Sequence, residues 1–521
     1  MKKNFKMVAL LVFLMNVNMI WTLYARQVVS KEEYKSRKEY RTDHTVEIKF
    51  FGTLQSLDVK SRGKISVTDD DGDIKAISPG GYLRIRKTTF GNKKEILIES
   101  DQQGNLTKLY YDNRNELPFE PEGRRWLRDI LLDVIRSTGI AVEDRVNRIY
   151  KNEGVNGVFE EIEELSSSTT KGLYFGHLLD RNGLTGSEIG RIAREISYEI
   201  SSSSQQGDIY RKYSHKFLAS NESADEYFRG VSKISSSSEQ GYTLRSVLEK
   251  GQLTAQMKAR LLEATESISS SSEIGSVLRS FTDRFDEDQV VVSAYFDALD
   301  HISSSSEKGS VLRDLLNSHD LSEDVMDHLF RSVAHISSSS EQGAVLRVAI
   351  KQIDGKERAY HEFFESVSRI SSSSEIGSVL RDILEEATLR DKYLMELFDV
   401  VDRISSSSER GAVLRRVIPH LSGQPNAIGR FLKSVSKISS STEMGSVLRD
   451  VVREGDTTNQ LLIGVLETSE SISSSSERVE VMLTVAEVMG DDNQPVLDVY
   501  KDVAKSIEST SGYRTVMERV F

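Results

Sequence analysis

The string Ile-Ser-Ser-Ser begins at Ile200, Ile234, Ile268, Ile302, Ile336, Ile370, Ile404, Ile438 and Ile472, always 34 residues apart. Degenerate copies at Leu165 (LSSSTTKGLYFGHLL) and Ile507 (IESTSGYRTVMERVF), each offset by 35, extend the series to about eleven units. One period of this length holds one supersecondary unit, which cannot bury its apolar face alone. Neighbouring units must therefore stack into a continuous core.

Upstream of each Ile lies a helical stripe. Met326, Leu329, Phe330, Val333 and Ile336 form one example, and Tyr360, Phe363, Phe364, Val367 and Ile370 the next. Downstream, Val311, Leu312, Leu315 and Leu316 recur as Val379, Leu380, Ile383 and Leu384, which predicts a second amphipathic helix. We call the two A and B. The expected fold is mainly α: an α-solenoid of about eleven 34-residue helix-turn-helix units over 153–521, preceded by a small antiparallel β domain.

The serine run joins A to B. Ser304 stands three before Glu307, the spacing of a capping box in which each side chain satisfies the other's backbone N–H. The same helix caps recur as Ser236 and Glu239, Ser338 and Glu341, and Ser406 and Glu409. Each is worth about 1 kcal/mol. Capping with a tight turn accounts for the cap serine and its Glu, but not for four serines in a row. Two positions after the Glu stands a glycine, at Gly241, Gly275, Gly309, Gly343, Gly377, Gly411 and Gly445. Glycine inside a helix costs about 1 kcal/mol relative to alanine, so its recurrence predicts close helix–helix approach.

An arginine follows each Val-Leu or Thr-Leu pair: Arg245, Arg279, Arg313, Arg347, Arg381, Arg415 and Arg449. It lies well off the centre of the core stripe. Two readings are open, structural ion pairing with the acids of the A helices or a guanidinium ladder that binds an acidic partner. The serine hydroxyls at the B-helix N-termini form a second repeated polar edge, suited to holding anions or to modification.

The period equals that of tetratricopeptide repeats, but the Trp, Gly-Tyr and Pro signature of that family is absent, so the likeness to these and to HEAT repeats is one of architecture. The units more closely resemble an uncharacterised bacterial repeat of pattern I-x-S-D-Y-E-x-x-x-V-L, which is associated with envelope proteins and with extensions of membrane peptidases. Ile302, Ser304, Glu307, Val311 and Leu312 match it, whereas its Asp-Tyr pair is Ser305-Ser306 here. The resemblance implies an envelope location and carries no activity.

Residues 1–25 carry three early lysines and the run MVALLVFLMNVNMIW, the form of a secretory signal. Leu23 is large for the position before a cut at Ala25, so an uncleaved membrane anchor is the alternative. Residues 26–43 read as a charged tether. Period-two stretches at Val46-Ile48-Phe50, Ile65-Val67, Leu83-Ile85, Ile96-Ile98 and Leu106 to Tyr111, separated by Gly- and Asp-rich turns, predict the β domain over 44–120. Connecting helices are expected over 121–152, the first from Pro121 to about Thr138 with Trp126, Leu127, Ile130, Leu131 and Val134 on one side.

The chain has no cysteine, which excludes disulfides, thiolate metal sites and cysteine nucleophiles. Its net charge of -12 argues against nucleic acid as a partner. Asp69-Asp70-Asp71-Gly72-Asp73 lacks the glycine and Glu positions of a calcium loop and reads as a solvated hairpin turn. His361-Glu362 lacks the second histidine of a zinc-protease helix. No cofactor, metal or catalytic residue is expected. The sequence points to a non-enzymatic scaffold, secreted or periplasmic, whose repeat surface binds a protein or other macromolecule, with contact to a membrane only through an uncleaved N-terminal segment. A membrane-anchored sensory or regulatory ectodomain is the alternative, and an enzyme with its site where the β domain meets the solenoid is a third reading.

Overall fold

The computed structural model describes residues 25, 26, 43–50 and 55–520, apart from 251, 387, 388, 390 and 491. The expected signal or anchor and the tether thus lie almost wholly outside the described residues. The chain divides into two compact units, 1–243 and 244–521, with the boundary inside the helix Ser237–Lys250.

Among the described residues the first unit opens with nine strands: β1 (Ala25–Arg26), β2 (Asp43–Phe50), β3 (Gln55–Arg62), β4 (Ile65–Val67), β5 (Ile74–Ile77), β6 (Tyr82–Thr89), β7 (Asn92–Ser100), β8 (Leu106–Asp112) and β9 (Asn115–Leu117). Seven form an antiparallel sheet in the order β1-β2-β3-β6-β7-β8-β9, while β4 and β5 pair separately. β3, β5 and β9 were not marked by the sequence pattern. In β3 the buried Leu57 and Val59 alternate with charged residues, and it fills the place between β2 and β6. One face of the sheet carries Leu83, Ile85, Ile96 and Ile98, fully buried with Leu127, Leu131, Val134 and Ile135 of α1 (Arg124–Thr138) in one core. α1 begins three residues later than expected, because Phe119–Gly123 form a single wide turn first. It ends at Gly139, whose φ of +73° makes the left-handed cap that glycine adopts without strain.

The aspartate-rich segment is the expected hairpin turn, between β4 and β5, with Asp69 and Asp70 exposed but Asp71 and Asp73 largely covered. Asp71 is gripped by Arg145 and Arg148 of α2 (Val142–Glu163), and Arg145 also meets Glu161 at 2.9 Å, which in turn holds Arg136 at 3.0 Å. Asp73 takes Lys108 at 2.5 Å and Arg124 at 2.7 Å, and Asp70 takes Arg128 at 2.8 Å. Those cations lie 35 or more residues downstream, so only the tertiary fold brings them to the turn. The carboxylates of Asp70, Asp71 and Asp73 are thereby occupied by cations of the chain itself. α2 kinks at Gly154, with φ +67°, and the part after the kink is the A helix of the first repeat.

In the second unit A helices alternate with B helices. The A helices include Gln289–Asp300, Glu323–Ala334, Glu357–Ser368 and Pro425–Val435; the B helices include Ser271–Thr282, Ser305–Ser318, Ser339–Ala349, Ser373–Glu386, Ser407–Val417 and Ser441–Glu454. The junction isoleucines and the Val-Leu pairs are buried throughout. A longer period of two repeats is superimposed. B helices of 14 residues, reading SVLRD at Asp314, Asp382 and Asp450, alternate with B helices of 11 that pass into a tight turn at Ile350–Gln352 or Ile418–His420. Among the described residues no helix is long and apolar enough to cross a membrane.

The charge cluster that docks the aspartate turn makes the first unit acid-sensitive. Burial pushes the Glu161 carboxyl up, but the guanidiniums of Arg136 and Arg145 outweigh it and hold it below its ordinary 4.5. A depressed carboxylate contributes stability above its ordinary value and loses it as pH falls through the lowered one. Unfolding of the wild type is therefore expected to become easier only below pH 4.5. Glu161→Gln, which leaves Arg145 buried with one carboxylate fewer, should cost about 3 kcal/mol at neutral pH in urea denaturation and flatten that acid limb.

Candidate functional site

The repeated polar residues converge on the junctions between units. B helices of consecutive repeats lie side by side, which sets the arginine of one against the capping glutamate of the next, 28 residues on. In the second unit the pairs are Arg245–Glu273, Arg279–Glu307, Arg313–Glu341, Arg347–Glu375, Arg381–Glu409, Arg415–Glu443 and Arg449–Glu477, at 2.5–2.9 Å. Arg211–Glu239 repeats the pair in the first unit. All are half-buried. The partners differ from the A-helix acids that the sequence suggested, because position along the B helix and not net charge decides who is opposite. In alternate repeats the arginine takes a second carboxylate, as Arg415 does from Asp450 at 2.7 Å. The lowered solvation there shows at Asp382, whose burial raises its pKa above the ordinary carboxylate value against the pull of Arg347.

The glycine belongs to the same device. A Cβ at Gly275, Gly309, Gly343, Gly377, Gly411 or Gly445 would stand under 3.0 Å from the glutamate side chain of the following repeat. The close approach predicted from the glycines is thus made by a carboxylate seated over the helix, on its way to the arginine.

This seat changes the cap. Ser236, Ser304, Ser338 and Ser406 each accept from the backbone N–H of the glutamate three residues on, Glu239, Glu307, Glu341 and Glu409, at 3.3–3.4 Å. The reciprocal half of the box is replaced, since the carboxylates turn to the preceding arginines. A box closed in both directions forms at Thr185 and Glu188, which begin an A helix.

The other serines make rungs. The third hydroxyl of one run meets the first of the next, as Ser271–Ser303, Ser305–Ser337, Ser339–Ser371, Ser373–Ser405, Ser407–Ser439 and Ser441–Ser473, at 2.8–3.0 Å. The fourth meets the cap serine of its own run, as Ser306 does Ser304 at 3.1 Å. Four serines in a row therefore divide into two rung makers, one cap and its neighbour. The sixth position, where long, reaches back to the end of the A helix: Gln206 donates to the Ile200 carbonyl at 2.6 Å, and Arg410 to that of Ile404 at 2.6 Å.

The set changes together at both ends of the array. At the first junction Gln205 replaces the glutamate, opposite Gly172, and Gly176 replaces the arginine. At the last, Val479 replaces the glycine and Leu483 the arginine, while Gly512 stands where the glutamate would be and faces Val479.

His361 pairs with Glu396 at 3.1 Å, beside the buried Phe363 and Phe364. Among the described residues no group of three His, Asp or Glu is placed to hold a metal ion.

No protein-family model matches the chain, and no curated protein matches it in sequence. Several structures align with it at low identity. They include a homology model of the full-length AP-3 complex in an intermediate open conformation (11% identity, 74% of this chain and 77% of that one, TM-score 0.32). The TSC2 N-terminus aligns at 13% identity over 67% of this chain and 99% of that one, TM-score 0.30. The Chs5-Bch1 exomer cargo adaptor complex aligns at 8% over 86% and 84%, TM-score 0.18.

Two outcomes test this geometry. Gly343→Ala should destabilise by about 1 to 3 kcal/mol in spite of alanine's higher helix propensity, and adding Glu375→Gly with Arg347→Leu should recover part of the loss, since Gly512 and Leu483 accompany Val479 naturally. Ser305→Ala and Ser337→Ala, each measured alone and together by denaturation, should show a coupling of roughly 0.5 kcal/mol, whereas Ser304→Ala should cost about 1 kcal/mol independently of Ser337.

Proposed function

We propose that the protein is a non-enzymatic, exported scaffold that binds a protein or other macromolecular partner through the outer surface of its helical repeats. One observation carries this reading. The invariant residues of each unit are consumed in stacking, while the exposed position five before each junction isoleucine varies in charge on a fixed backbone: Arg229, Glu263, Asp297, Arg331, Glu365, Asp399, Lys433 and Glu467. A surface that holds its frame and varies its sign is suited to recognising one partner by electrostatic complementarity. The basic and apolar N-terminal residues, and their likeness to a signal, support export. An uncleaved anchor would make the same surface a regulatory ectodomain, and N-terminal sequencing separates the two, since export with cleavage gives a start near Arg26.

The binding reading is tested by immobilising the full chain against envelope extract, with Glu365→Lys and Asp399→Lys as the comparison. A partner retained by the wild type and released by the double substitution, at unchanged melting temperature, is expected. Equal retention by both chains, or none by either, would count against it.

A further inference from the structure

β6 and β7 are joined by the two residues Phe90 and Gly91, with Thr89 and Asn92 as the closing pair. Both have positive φ, +50° and +87°, as a type I′ turn requires. Asn, Asp or Gly normally fills the first of these places. A bulky aromatic there costs about 1–2 kcal/mol. Phe90 is also 69% exposed, the most of any large apolar side chain among the described residues, and the space beside Gly91 is empty.

Cations surround this tip. Lys87 pairs across the hairpin with Lys94, and Thr88 with Lys93. The β8–β9 turn is tied to the same place, for the Asn113 N–H donates to the Lys93 carbonyl at 2.7 Å and the Asn113 side chain accepts from the Lys93 N–H at 3.0 Å. That brings the exposed Arg114 alongside. Asp112, opposite Lys94, is the one acid in the row. In a chain of net charge -12, this end of the hairpin carries Lys87 and Lys94 on one face and Lys93 on the other, with Arg114 in the adjoining turn.

We infer that the Phe90 hairpin is a docking point for an anionic lipid surface. The ring enters the headgroup region, and the lysines keep their stems against it while their ammonium groups meet lipid phosphates. Each basic residue held near such a surface contributes about 1 kcal/mol. A protein partner fits less well. Among the described residues the β6–β7 turn presents one exposed apolar side chain, Phe90, and a stable protein interface needs about 800 Å² from each side.

Phe90→Asn is the informative substitution, because Asn-Gly is the preferred sequence for this turn and the variant should fold at least as stably. The full-length wild type, Phe90→Asn and Lys93→Gln/Lys94→Gln are compared by co-sedimentation with phosphatidylcholine vesicles, with and without about one third phosphatidylglycerol. All three share the same N-terminal segment, so any insertion by that segment is common to them. The expected result is stronger wild-type binding to the anionic than to the neutral vesicles, with the part added by the anionic lipid weakened about tenfold by either variant and also by raising salt to about 0.5 M. Phe90→Asn binding as tightly as the wild type would overturn the inference. So would equal wild-type binding to neutral vesicles, or equal binding of wild type and Phe90→Asn to soluble polyphosphate with no preference for vesicles.

Discussion

The stack depends on a carboxylate that has crossed from its own helix to the one before. By itself a half-exposed Arg–Glu pair is worth at most about 1 kcal/mol. Its effect here is larger because three positions are bound to it. The glycine gives up helix propensity so that the glutamate can lie flat, the glutamate gives up the second half of its capping box, and the arginine is held by the helix that carries the glycine. The apolar core between repeats is non-directional and would tolerate some sliding. The ion pair and the serine rungs are directional, and they fix one helix against the next at a single register.

The first and last of these junctions show that the arginine and the glutamate are replaced together. Where the glutamate becomes Gln205, the arginine becomes Gly176. Where the glycine becomes Val479, the arginine becomes Leu483 and the glutamate Gly512. An uncompensated arginine or a lone Cβ in the seat would each be unfavourable, and neither occurs. Alternation with a period of two repeats adds a second level, since Asp314, Asp382 and Asp450 stand in every other B helix. Successive junctions are therefore similar in framework and distinct in charge.

The helices, the turns and the cap serines were legible in the residues because each depends on spacing within one element. The serine hydroxyl of Ser304 sits where the capping pattern puts it. The partner of Glu307 could not be read the same way, since choosing between its own Ser304 and the distant Arg279 requires the lateral packing of two B helices. A signal was nevertheless present: Arg and Glu are replaced together at the first and last of these junctions, with the glycine also replaced at the last, and the 32-residue spacing of the rung serines is constant. In the β domain, β3 was missed because its alternation is carried by only Leu57 and Val59. The aspartate turn was legible as a hairpin, but the ion pairs that cover Asp71 and Asp73 were not, because their cations come from β8, α1 and α2, far along the chain.

Hydrogen exchange on the Glu375→Ala chain tests the junction most directly. If the glutamate locks one repeat to the next, protection falls in the preceding B helix, Ser339–Ala349, as well as in its own, Ser373–Glu386. Loss confined to the first turn of Ser373–Glu386, with Ser339–Ala349 unchanged, would show instead that Glu375 serves only as a local cap.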